Sequence, residues 1–127
     1  MREQPYYMGN ASYFMRIFMS SNIKLIVYPA KDLEKTKSIF GKFLGVEPYV
    51  DSPYYVGYKL SNLEVGLDPN GQSPVCYADV TDIKSSLQIL VNAGAVVQQE
   101  IKDVGVGLLV AQVKDSNGNV LGLRSSK

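Results

Sequence analysis

The chain has 127 residues, thirteen of them basic and twelve acidic, for a formal charge of +1. That length suits one domain and leaves too little for two independent cores, and the even charge gives no field to draw in nucleic acid or an anionic membrane. Histidine is absent and Cys76 is the lone cysteine, which removes the commonest metal ligand, the usual general base near neutral pH and any internal disulfide.

Residues 1–21 are rich in Tyr, Met and Phe without a clean period, and they read as an N-terminal extension or an over-extended start. The apolar run 13–19 is short and carries Arg16, which a signal core or a membrane span would exclude. A soluble, cytoplasmic protein is expected, since a lone cysteine suits a reducing compartment.

From residue 22 onward the pattern is regular. Residues 23–30 form a β-branched apolar run ending at Lys31-Asp32, where the aspartate can cap a helix. Leu33, Thr36, Ile39, Phe40, Phe43 and Leu44 follow at helical spacing, Glu34 sits in the first turn and Gly45 supplies the stop. Strand-like segments come next at 46–50, 54–60 and 63–67. The series then repeats, with a strand at 75–80, a cap at Asp82, a stripe of Ile83, Leu87, Leu90 and Val91, a stop at Gly94, and strands at 96–101, 107–113 and 120–123. Each half ends on a Gly-Leu pair, Gly66-Leu67 and Gly122-Leu123, the second reached through the turn Asp115-Ser116-Asn117-Gly118-Asn119. The fold class is α+β: two βαβββ modules forming curved mixed sheets, with helices on the convex face and a concave pocket. They occupy residues 22–127.

Alternation along the strands selects the inward side chains. Leu25, Val27 and Pro29 face the concave side, while Ile26, Tyr28 and Ala30 lie beneath the helix. If Ser61-Asn62 is a two-residue turn, Lys59 faces Glu64, Tyr58 faces Val65 and Gly57 faces Gly66. The second half adds Val75, Tyr77, Asp79, Val120, Gly122 and Arg124. Lys59 and Glu64 read as a cross-strand ion pair, Arg124 as solvated, and Cys76 as a small thiol buried on the helix side. Tyr49, Tyr54 and Tyr55 around Pro53 are either a lid or simple turn packing.

The stretches VYPAKDLEKTKSIFGKFLG and VKDSNGNVLGL, in this order of elements, resemble the vicinal-oxygen-chelate superfamily of glyoxalases, bleomycin-resistance proteins and extradiol dioxygenases. The resemblance covers residues 22–126 and implies a concave ligand site, commonly within a homodimer. In metal-using members four ligands come from the first and last strands of the two halves. Carried over by spacing, the outer positions hold Leu25 and Gly122 and the inner ones fall at Gly66 and Val75 or one residue to either side, at Val65 or Leu67 and Pro74 or Cys76, of which the lone Cys76 alone has a side-chain donor atom. No metal, no cofactor and no catalytic residue is therefore expected. The candidate ligand-binding residues are Leu25, Val27, Tyr55, Lys59, Glu64, Gly66, Val75, Tyr77, Gly122 and Arg124, the glycines opening space above an apolar floor. The expected function is metal-independent binding of a small molecule, a drug or aromatic metabolite, as in bleomycin-resistance proteins. The alternatives are a glyoxalase- or dioxygenase-type enzyme with a non-standard site, and an interaction protein whose pocket has closed.

Overall fold

A computed structural model describes residues 22–127, so the expected N-terminal extension over 1–21 lies outside the described residues. The first module comprises β1 (Asn22–Pro29), α1 (Leu33–Leu44), β2 (Val50–Ser52), β3 (Tyr55–Lys59) and β4 (Glu64–Asp68). The second repeats the series as β5 (Val75–Asp79), α2 (Ile83–Asn92), β6 (Val96–Asp103), β7 (Leu108–Lys114) and β8 (Val120–Ser126). The strands join in one open, curved, mixed sheet of eight in the order β2-β3-β4-β1-β5-β8-β7-β6. β1 and β5 meet antiparallel, while the first and last strands of each module run parallel.

The helices start and stop where their capping residues dictate. Asp32 accepts the Lys35 N–H and Asp82 the Ser85 N–H, both at 3.1 Å, each occupying a donor that a helix start leaves free. Gly45 closes α1 at φ 73°, a left-handed conformation that costs glycine little. α2 closes on Ala93, and Gly94 follows at φ 111°.

Each helix covers its own module. Beneath α1 lie Ala30, Val56, Tyr58, Val65 and Leu67, packed with Leu33, Phe40 and Leu44. Beneath α2 lie Val80, Ile83, Leu87, Ala111, Val113 and Leu123. The two clusters share no member. Leu67, Val56 and Val113 are fully buried, a contribution of about 1.5 to 3 kcal/mol each.

Three local expectations are corrected. Ile39 and Phe43, placed on the buried stripe, are 67% and 78% exposed. At 3.6 residues per turn the line through Leu33, Phe40 and Leu44 faces the sheet, and the other two fall to one side of it. Val91 likewise lies at the exposed margin of α2. The strand expected over 46–50 begins instead at Val50, because Pro48 has no N–H to give a ladder.

Ser86 is buried on the sheet side of α2, and its hydroxyl has no partner among the described residues. Ser86→Ala removes that unsatisfied group and is expected to raise stability by about 1 kcal/mol. A thermal midpoint higher by roughly 4 °C reads this; a lower midpoint would show that the hydroxyl is satisfied in solution.

Candidate functional site

Because Val56, Tyr58, Val65 and Leu67 point beneath α1, their strand neighbours Tyr55, Gly57, Lys59, Glu64 and Gly66 face the concave side. Leu25 and Val27 of β1 form a half-buried floor there, next to Tyr77 and Val75 of β5. One row crosses the four central strands: Glu64 stands beside Leu25, Leu25 beside Tyr77, and Tyr77 beside Gly122. Gly66 and Val75 both flank Val27, one step further along. The expected set Leu25, Gly66, Val75 and Gly122 is thus split over two rows. Counting from the caps locates a residue along its strand, but carries no information on the stagger between strands.

The row does not suit a divalent cation. Leu25 and Gly122 have no donor atom, and Glu64 is the only carboxylate. Its Oε1 accepts the Tyr49 hydroxyl at 2.9 Å. Among the described residues no three His, Cys, Asp or Glu side chains converge, whereas a hard or borderline ion needs several such ligands to offset its dehydration.

The two glycines do not open space, contrary to expectation. A Cβ at Gly66 would overlap the phenol end of Tyr55, and one at Gly122 the ring of Tyr77. Each tyrosine lies across bare glycine backbone. Tyr77 spans Gly122 to reach its strand neighbour Gln112, whose Nε2 donates to the Tyr77 hydroxyl at 2.8 Å. Tyr55 reaches over Gly66 from β3, and Gly57 beside it carries the ring of Tyr49.

The charged residues are also arranged differently. Lys59 sits opposite Glu64, yet they form no ion pair. The Lys59 ammonium lies 4.8 Å from the Tyr49 ring centroid, within cation–π range. Arg124 is not solvated: its side chain is only 16% exposed and forks onto Asp79 at 2.7 and 3.2 Å. That two-point contact raises the already high pKa of the guanidinium. Tyr54 is 80% exposed, and Ser52 Oγ accepts the N–H groups of Tyr54 and Tyr55. This is turn packing. Cys76 lies on the helix side as expected, but half-buried in an open groove lined by Ile26, Tyr28 and Leu121.

Burial, reinforced by the neighbouring Tyr49 and Glu64, pushes the Tyr55 hydroxyl up to about 12. Burial, followed by donation to Glu64, also raises Tyr49. A group whose folded pKa lies above its unfolded value of about 10 contributes stability that is intact below pH 10 and lost as pH rises through the folded value. Native stability is therefore expected to hold from pH 7 to 9 and to fall between about pH 10 and 12. Tyr55→Phe should lessen that fall without abolishing it, as Tyr49 remains. Denaturant titrations at stepped pH measure this, and an unchanged slope in the variant would refute it.

At the Val27 end, Val75, Val120, Tyr77, Gln98 and Gln112 enclose a cleft of about 190 Å³, rimmed by the connection from Asp68 to Ser73. Gln98 and Gln112 escaped the sequence reading. The signal for Gln112 was there, since Ala111 and Val113 beneath α2 imply that Gln112 faces the other way.

No family model matches the chain, and no curated protein matches it. Solved structures do. A glyoxalase/bleomycin resistance protein/dioxygenase superfamily member from Vibrio splendidus 12B01 superposes with a TM-score of 0.63 at 20% identity, covering 81% of this chain and 97% of that one. Methylmalonyl-CoA epimerase from Streptomyces coelicolor, in complex with 2-nitronate-propionyl-CoA, gives 0.62 at 14% identity, covering 84% and 97%. A hypothetical protein from Bacillus halodurans C-125 gives 0.65 at 12% identity, covering 83% and 94%. The chain has the vicinal-oxygen-chelate fold. Identities this low show the fold and leave the activity to be argued from the site.

Proposed function

We propose that the chain binds a small, flat molecule on its concave face without the help of a metal ion. The observation that carries this reading is the central row, Glu64, Leu25, Tyr77 and Gly122, which offers one carboxylate beside an apolar floor and a tyrosine ring. Aromatic and aliphatic walls with a few polar groups are what small-molecule sites are made of. The reading includes the expected homodimer, in which a second copy would shelter the open face; sedimentation at tens of micromolar, an order-of-magnitude concentration above common dimer dissociation constants, tests that part.

The chain has no tryptophan and nine tyrosines, so tyrosine emission can follow a titration with aromatic drugs, quinones and short aldehydes. Flat aromatic members are expected to bind equally well before and after exhaustive dialysis against a chelator. Elemental analysis should find no stoichiometric zinc, nickel, iron or manganese. Binding or turnover that requires one equivalent of such a metal would overturn the reading, as would failure of every compound to bind.

A further inference from the structure

We propose that the cleft beside Tyr77 and Gln112 selects an uncharged ligand carrying a hydrogen-bond acceptor next to a donor, namely a carboxamide or lactam on a single flat ring. This rests on the concave-face binding proposed above and specifies its ligand class. The floor is Val27, Val75 and Val120, and the volume is about 190 Å³. Sites for drug-sized molecules run to roughly 300 to 1,000 Å³, so one ring with one substituent is what this space admits.

The polar wall determines the substituent. Gln112 Nε2 donates to the Tyr77 oxygen at 2.8 Å, which leaves the Tyr77 hydroxyl hydrogen free to donate and Gln112 Oε1 free to accept. If the amide is turned over, the Tyr77 hydroxyl donates to Gln112 Oε1, and the free pair becomes the Gln112 Nε2 donor and a tyrosine lone pair. Both arrangements present one donor beside one acceptor. A carboxamide or lactam edge satisfies both. A carboxylate supplies acceptors alone and an ammonium donors alone, and each would leave one wall group without a partner.

Charge around the cleft is mixed and leaves the choice to the hydrogen-bonding wall. Of the cations on the concave face, Arg124 is committed to Asp79, while the exposed Lys114 stands opposite Val120 of the floor. Asp68, on the rim, has its Oδ1 engaged by the Asn70 N–H at 2.8 Å. An anion in the cleft would be desolvated, with the solvent-screened Lys114 ammonium as its countercharge. Asp68 Oδ2 is the one feature that would favour a cation, so a cationic probe belongs in the test.

Benzamide, benzoate, benzylamine and toluene share one ring and one small substituent. Their binding to the full chain at pH 7 can be compared by NMR titration of labelled protein. Benzamide is expected to bind at least about fivefold more tightly than the other three, the factor that corresponds to one unpaired wall group. Its shifts should centre on Val27, Val75 and Gln112. Gln112→Leu should erase the preference while leaving toluene unchanged, and Tyr77→Phe, which keeps the ring, should reduce it. A dispersed spectrum of each variant shows that it is folded. Equal or tighter binding of benzoate, benzylamine or toluene would overturn the ligand class and leave concave-face binding standing. The same holds if all four fail while other compounds of the wider panel bind. If neither set binds, both proposals fall.

Discussion

Leu67→Ala is expected to destabilise the protein by about 2 to 5 kcal/mol, and Leu123→Ala by a similar amount. Leu67 is fully buried beneath α1 and Leu123 is 2% exposed beneath α2. In both cases the neighbours belong to a sheet held by ladders on either side, so the cavity closes only in part. The double variant is the more informative. Because the clusters around the two residues share no member, the two costs should add to within roughly 0.5 kcal/mol. Urea titrations followed by far-ultraviolet circular dichroism and by tyrosine emission provide the numbers. A coupling above about 1 kcal/mol would show that the two cores repack through the sheet, and separated transitions would show that the modules unfold independently.

Gly122→Leu is expected to destabilise the fold by about 1 to 3 kcal/mol, the usual range for added bulk where no void receives it. Space here is already taken, since even the first carbon of a side chain would overlap the Tyr77 ring. The ring must swing outward and give up the Gln112 hydrogen bond, so the variant should also lose any ligand preference that this pair confers. Restoring room tests the cause. In the Tyr77→Ala background the same leucine should cost much less, because the clash is gone. An equal cost in both backgrounds would mean that the ring is not what resists the leucine. Gly66→Leu should be milder, as it meets only the far end of Tyr55, which can turn toward solvent.

Much of the architecture was legible in the sequence because local rules decide it. The caps at Asp32 and Asp82 and the hairpin register from Gly57–Gly66 to Lys59–Glu64 follow from side-chain chemistry and turn length. Membership of the concave face follows from a period of two. What escaped depends on long-range geometry. The stagger that sets Glu64 and Tyr77 beside Leu25 arises between strands far apart in the chain, and β1 and β5 also slip register between Ile23 and Leu25. Arg124 meets Asp79 only because β8 lies along β5. The glycines were misjudged for a similar reason: lack of a side chain reads as space until a neighbouring ring is known to lie across it.

The antiparallel meeting of β1 with β5 relates the halves by an approximate two-fold axis. That rotation exchanges Asp32 with Asp82, Gly66 with Gly122 and Val27 with Tyr77. A strictly symmetric sheet would offer two equivalent half-sites and accept a ligand in either of two orientations. Here the symmetry is broken where it matters, because Val27 has methyl groups where Tyr77 has a hydroxyl, and Gly57 stands where Gln112 supplies an amide. Occupancy should therefore be one molecule per chain in a single orientation, its hydrogen-bonding edge toward β7 and its bare edge toward β1.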